Sequence, residues 1–260
     1  IKDKYINMVK ENQVGLYSFD NKHLYYNFKN DKINNKKNLL RILSEISSLK
    51  KNLPISWDTS CLLRIDKKQT NMIKFVIIGP KDTPYHNGVY EFHAYFPSNY
   101  PSVPPQVLLN TTNGGKVRFN PNLYASGKVC LSLLGTWNGQ EGENWNCCIS
   151  TFLQVIISIQ SLIMVEDPYF NEPGYVQIMH TEHGKEKALQ YKNEIIYHNL
   201  QVAILNQIKN PPEGFEEFTI NHFKAKKEEI LQIADGLKKD MSIDKKINID
   251  SFIKNFKNLI

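Results

Sequence analysis

Cysteine is scarce in this 260-residue sequence, occurring only as Cys61, Cys130, Cys147 and Cys148. Four thiols are too few to staple a chain of this length. The adjacent pair Cys147 and Cys148 does not give the spacing of a structural zinc site, so no metal is expected. Free thiols in a reducing, intracellular setting are the expectation, cytoplasmic or also nuclear. Arginine is scarcer still, present only as Arg41, Arg64 and Arg118. The net charge of +6 is therefore carried by lysine. It reads as a solvated lysine surface with, at most, a basic face for an acidic protein, and no nucleic-acid partner is expected. No apolar run reaches the roughly 20 residues of a membrane span. The best stretch, 149–165, is broken by Gln154, Ser158, Gln160 and Ser161, so no membrane partner is expected either. A signal-peptide pattern is also missing. The chain starts at Ile1 rather than Met, as expected of a piece of a longer protein. Finally, residues 110–150 contain no histidine, so a cysteine there has no local base.

What is present has a clear order. Leu39, Ile42, Leu43, Ile46 and Leu49 fall at helical spacing from near Asn38, with Pro54 just beyond. Ser60 to Asp66 and Met72 to Ile78 read as strands around the polar turn KKQTN. Tyr90, Phe92, Ala94 and Phe96 alternate with Val89, Glu91, His93 and Tyr95, the pattern of a half-buried strand. The prolines of YPSVPP (100–105) exclude sheet interior, and QVLL (106–109) gives a short fourth strand. After an irregular region, Ser150 or Thr151 can cap a helix carrying Phe152, Leu153, Ile156, Ile159 and Ile163, which Pro168 ends. Further helices are predicted near 174–182 and 185–209, and two amphipathic patterns lie in 213–260. One helix, an antiparallel meander of four strands and then helices indicate an α+β fold. Residues 1–35 and 211–260 flank the segment 36–210 as an N-terminal and a helical C-terminal extension, the former expected to pack against the first helix.

The stretch FNPNLYASGKVCLSLLGTW (119–137) carries the chemistry. Asn120, Pro121 and Asn122 form a stiff polar turn, ASGK turns the chain again, and Cys130 opens an extended apolar segment. This layout can present the sulfur at a groove edge with a carboxamide close by. Without a base to make a thiolate, hydrolysis by a Cys–His pair is disfavoured, because His86, His93, His180, His183 or His198 would have to be recruited from a distance. Thioester exchange fits better, since the incoming acyl group is already activated.

From about residue 38 to 210 the sequence resembles the ubiquitin-conjugating enzymes, or E2s. GPKDTPYHNGVYEF resembles the family's turn into its third strand, and YPSVPP its Tyr-Pro-Phe-x-Pro-Pro segment. NPNLYASGKVCL resembles the His-Pro-Asn motif followed eight residues later by the active cysteine, with Asn120 replacing the histidine. DPYFNEP (167–173) resembles the gate loop after the second helix. An insertion separates Cys130 from Trp145, and the whole pattern is similar to the conjugating domain of large hybrid E2/E3 ligases.

The resemblance implies an E2 fold with N- and C-terminal extensions, and an activity. Cys130 accepts ubiquitin from an activating enzyme, Asn122 serves the oxyanion, and Glu172, with Asn171 beside it and Asp167 as the alternative acid, serves the attacking lysine. Ser132 would line the groove for the donor tail, and Gln154, Ile157 and Ser161 would hold donor ubiquitin. Lys36, Lys37 and Arg41 would meet the activating enzyme. The partners implied are ubiquitin, the activating enzyme and protein substrates. No cofactor is implied, since ATP is used by the activating enzyme. Binding of RING-type ligases is doubtful, because Ser102 replaces the aromatic anchor and Cys147 and Cys148 replace the usual Pro-Ala. The alternative is a non-catalytic E2 variant that only recognises ubiquitin, against which Cys130 and Asn122 argue together.

Overall fold

The computed structural model describes residues 1–260. Asn35 caps the central helix α2 (Lys36–Asn52), its side chain accepting from the N–H groups of Lys37 and Asn38. The cap lies four residues before Leu39, the first apolar position of the repeat, so the helix begins earlier than its periodicity alone indicates. Two elements precede it, helix α1 (Lys2–Asn12) and strand β1 (Val14–Tyr17). The sheet continues with β2 (Cys61–Asp66), β3 (Met72–Ile78), β4 (Val89–Tyr95) and β5 (Gln106–Leu109).

The last four strands form the expected antiparallel meander, but the sheet is mixed. It has five strands in the order β1-β2-β3-β4-β5, and β1 runs parallel to β2, Val14 opposite Leu63. The N-terminal segment therefore extends the sheet edge instead of resting on α2. Gln13 fixes it there, its side-chain amide donating to the carbonyl of Leu53 at 3.0 Å.

One face of the sheet holds Leu63, Ile65, Phe75, Ile77 and Phe92 against α2 and α3 (Phe152–Ser158). Helix α3 continues through a wider π turn over Ile159–Ile163. Leu62, Val76, Ile78 and Val89 point to the other face and join a second core. That core is built by α1, by the helix pair α4 (Glu182–His198) and α5 (Gln207–Lys209) joined by a π segment (Asn199–Asn206), and by α6 (Glu216–Ala225), α7 (Lys227–Lys238) and α8 (Ile243–Leu259). The two flanking segments thus meet across the back of the sheet. This is why β4 is buried along its whole length rather than on one face.

Two local expectations change. The segment expected as a helix over 174–182 is a 3-10 helix over Pro173–Ile178, because Pro173 and Gly174 favour a short tight turn. The tail makes three helices rather than two, with Lys226 as the break between α6 and α7. Lys226 is fully buried, 3.4 Å from the centre of the Trp57 ring and paired with Glu229 at 3.3 Å.

Burial of polar groups on this second face gives the fold a pH dependence. His222 bridges the Tyr5 hydroxyl (Nδ1, 2.8 Å) and the Asn87 carbonyl (Nε2, 2.9 Å), and its burial pushes its pKa down to about 4. His23, held on the Ile73 carbonyl at 3.0 Å, is pushed to about 4 by burial and then by His93. Both folded values lie below the unfolded value of about 6.5. The unfolded chain therefore takes up protons first, and stability falls as pH drops from 6.5 towards 4. Each histidine accounts for on the order of 3 kcal/mol across that window. Urea midpoints should decline over that range, and a midpoint constant from pH 7 to 4.5 would contradict the assignment.

Candidate active site

The turn that holds Cys130 is built from backbone upward. Gly127 has φ +92°, and a Cβ there would lie 2.7 Å from the Leu109 carbonyl oxygen, so the ASGK turn needs glycine. Isolated bridges pair Leu123 with Val129 and Leu108 with Lys128, tying the turn to β5. Thr136 closes the far side, its hydroxyl donating to the Val129 carbonyl at 2.6 Å and accepting from the Leu131 N–H at 3.0 Å. Val129 and Leu131 enter the main core, whereas Cys130 between them belongs to none of the apolar clusters.

Asn122 grips Cys130 at both ends of its backbone. The Cys130 N–H donates to the Asn122 carbonyl at 2.9 Å, and the Asn122 side-chain amide donates to the Cys130 carbonyl at 3.0 Å. Asn122 is itself aimed by Asn120, whose side-chain oxygen accepts from the Asn122 N–H at 2.8 Å. Asn120 is fully buried and uses its whole carboxamide. It donates to the Tyr85 hydroxyl and to the Ile163 carbonyl, both at 2.8 Å, and its oxygen also accepts from Asn171 at 3.2 Å. Two donors and two acceptor sites are all that such a group has, so it fills the place of the motif's histidine with nothing left over.

Asn171 links this hub to the gate, since it also donates to the Ile163 carbonyl at 3.2 Å. Glu172 follows it, half-buried, at the junction of the 3-10 helices Pro168–Asn171 and Pro173–Ile178. Its charge is felt at Tyr191: burial pushes that phenol up to about 12, Arg118 opposes the rise and Glu172 adds to it. The alternative acid, Asp167, is engaged elsewhere, 3.6 Å from Lys192.

The expected sites fare differently. Gln154, Ile157 and Ser161 share an exposed face of α3 and its π turn, with Ile157 38% exposed and outside the core. Gln154 doubles as a cap, its side chain accepting from the Thr151 N–H at 3.1 Å. Ser132 is half-buried at the start of a 3-10 turn, Ser132–Leu134. Lys36 and Lys37 are exposed in the first turn of α2. Arg41 is not a free basic head. Its guanidinium donates to Glu45 at 2.7 Å and to the carbonyls of Cys147 and Ser150 at 2.9 and 2.6 Å, clamping the loop before α3. Ser102, Cys147 and Cys148 are exposed.

Exposure of the thiol is the main departure. The layout predicts a sulfur at a groove edge, yet residue 130 is 2% exposed. Both its backbone groups are tied to Asn122, which holds the main chain of residue 130 against the 120–122 turn. None of the seven histidines hydrogen-bonds Cys130; His93 and His222 are engaged with Glu91 and Tyr5, and His86 lies 3.5 Å from Glu229. No group of three or more His, Cys, Asp or Glu side chains is placed to hold a metal ion, and no helix is long and apolar enough to cross a membrane. Sequence reading missed Tyr85, Thr136 and Glu45. Only Tyr85 left a signal, a large aromatic inside the dense turn GPKDTPYHNG.

Comparison with known proteins agrees with this geometry. Residues 41–198 match the family described as ubiquitin-conjugating enzyme. The chain is 45% identical over 226 residues to the human dual E2 ubiquitin-conjugating enzyme/E3 ubiquitin-protein ligase BIRC6, covering 86% of this chain and 5% of that protein. It is 44% identical over 198 residues to the probable ubiquitin-conjugating enzyme E2 R521 of Acanthamoeba polyphaga mimivirus, covering 76% of this chain and 14% of the relative. Against probable ubiquitin-conjugating enzyme protein 17 of Caenorhabditis elegans it is 44% identical, over 79% of this chain and 29% of the relative. It thus spans a minor part of each of these relatives. The chain belongs to the ubiquitin-conjugating enzyme family.

Proposed function

We propose that this chain carries ubiquitin as a thioester on Cys130 and passes it to a lysine amine. In the first step the Cys130 thiolate attacks the carbonyl carbon of ubiquitin's C-terminal thioester on the activating enzyme. The C–S bond to that enzyme breaks and its thiol leaves. In the second step a neutral lysine attacks the new thioester. The intermediate bears an oxyanion until the C–S bond to Cys130 breaks, leaving an isopeptide and a free thiol. The observation that carries the reading is the Asn122 carboxamide spanning residue 130, a donor 3.0 Å from the Cys130 carbonyl that a side-chain rotation brings towards the oxyanion.

Charging requires the sulfur to be uncovered. Cys130 itself belongs to none of the apolar clusters, although Val129 and Leu131 on either side of it do. A lysine has an ordinary pKa of about 10.4, and its free amine is scarce at neutral pH. Glu172 orients the incoming ammonium and takes its proton. Ser132 lines the path of the donor tail, and Gln154, Ile157 and Ser161 hold donor ubiquitin. Lys36 and Lys37 receive the activating enzyme, with Arg41 supporting that face from beneath. The apolar anchor for a RING domain is missing at Ser102, which fits a catalytic segment that works within a larger hybrid ligase and finds substrates through its own chain.

Incubation with activating enzyme, ATP and ubiquitin should give a thiol-reducible adduct that depends on ATP and is lost in Cys130→Ala. A wild-type chain that forms no adduct would leave only a ubiquitin-binding variant.

A further inference from the structure

The transfer reaction leaves two exposed thiols unused. Cys147 and Cys148 lie in the turn between Trp145 and α3, with their sulfurs 3.7 Å apart. Successive side chains usually diverge, and here the backbone is held so that they converge. The Asn146 side chain accepts from the Cys148 N–H at 2.9 Å, the Ser150 N–H donates to the Asn146 carbonyl at 2.8 Å, and Arg41 holds the Cys147 carbonyl at 2.9 Å. The clamp fixes the main chain and leaves both sulfurs in solvent. One S–H donates to the other sulfur; this hydrogen bond and the charge of Cys147 hold the Cys148 thiol above its ordinary pKa, an effect that Arg41 and Lys37 partly offset. By contrast, Cys61 is fully buried in β2, where burial keeps it protonated.

We propose that Cys147 and Cys148 form a reversible redox site, oxidised by hydrogen peroxide to a disulfide between adjacent residues. One thiolate attacks a peroxide oxygen; the O–O bond breaks, a sulfenic acid forms and water leaves after protonation. The neighbouring thiolate then attacks that sulfur, the S–O bond breaks, and a second water leaves. The two thiols lose two electrons and two protons, and the peroxide is reduced to two waters. The second step is intramolecular, so it outruns over-oxidation. Adjacent Cα atoms stand about 3.8 Å apart across a trans peptide, closer than the roughly 4.4–6.8 Å of ordinary disulfides, so the bond is readily reduced again.

The test uses the full chain treated with graded hydrogen peroxide, then an alkylating agent, then chymotrypsin. Cleavage after Trp145 and Phe152 releases residues 146–152, free of Cys130. The expected product has lost two hydrogens, takes no alkylating agent and is restored by dithiothreitol. Phenylarsine oxide, which grips paired thiols, should bind once per chain before oxidation and not after, and should not bind Cys148→Ser. Sulfinic or sulfonic acid in that peptide, disulfide-linked dimers, or equal arsenical binding by Cys148→Ser would overturn the proposal. None of these readouts involves ubiquitin transfer, so they stand or fall apart from it.

Discussion

Replacing Asn122 with alanine is expected to slow discharge of the ubiquitin thioester onto free lysine by roughly 100- to 1,000-fold, the usual effect of losing one oxyanion donor. Formation of the thioester on Cys130 should be affected much less, since there the activating enzyme supplies part of the site. Two roles have to be separated, because the same amide donates to the Cys130 carbonyl at 3.0 Å. Its structural share is one hydrogen bond, worth about 1 kcal/mol of stability. A single-turnover assay with pre-charged chain reads the chemical step alone. If discharge slows less than about threefold while the thermal midpoint drops, the amide only braces the turn. Asn122→Gln keeps the donor on a longer arm and should fall between the two.

The largest effect on stability should come from Glu45, a residue that no motif marks. It is buried on α2, and its carboxylate joins three parts of the chain. One oxygen accepts from Arg41 at 2.7 Å and from the Tyr100 hydroxyl. The other accepts from the Phe152 N–H at 2.7 Å, serving an otherwise orphaned donor in the first turn of α3. Removing the carboxylate leaves the buried Tyr100 hydroxyl and the Phe152 N–H without their partner, at about 1–3 kcal/mol each, whereas Arg41 keeps its two carbonyls. Glu45→Ala should therefore lower the urea midpoint sharply with the slope unchanged. Glu45→Gln keeps the shape and should cost less. A loss under about 1 kcal/mol in Glu45→Ala would mean that the three contacts do not act as one node.

The parts legible in the sequence are those whose signal is local. The polar turn KKQTN marks β2 and β3, alternation marks β4, and the 3.6-residue repeat marks α2. Gly127 and the polar pair Asn120 and Asn122 mark the turns around Cys130. The illegible parts depend on distant partners. Strand β1 is four residues long with no alternation, and it exists because β2 offers it an open edge. The burial of Glu91 and His93 on the second face of β4 depends on residues far off in sequence: His23 stacks on His93 at 4.7 Å, the Leu24 N–H donates to His93 at 2.9 Å, and Lys74 lies 3.8 Å from Glu91. Glu91 there accepts from His93 at 2.7 Å and from Asn110 at 2.9 Å. Arg41 reads as a surface cation because its carbonyl partners lie more than a hundred residues away. The burial of Cys130 is of the same kind: spacing brings Asn122 near the cysteine, but nothing local in the sequence marks residue 130 as 2% exposed.

Locating the acyl group on the charged chain is the decisive measurement. Four thiols are present, and Cys147 and Cys148 are far more exposed than Cys130. After charging with activating enzyme and ATP, proteolysis at low pH and mass spectrometry should find the ubiquitin remnant on the peptide carrying Cys130 and on no other. A remnant on Cys147 or Cys148, with Cys130 still open to alkylation, would contradict the account.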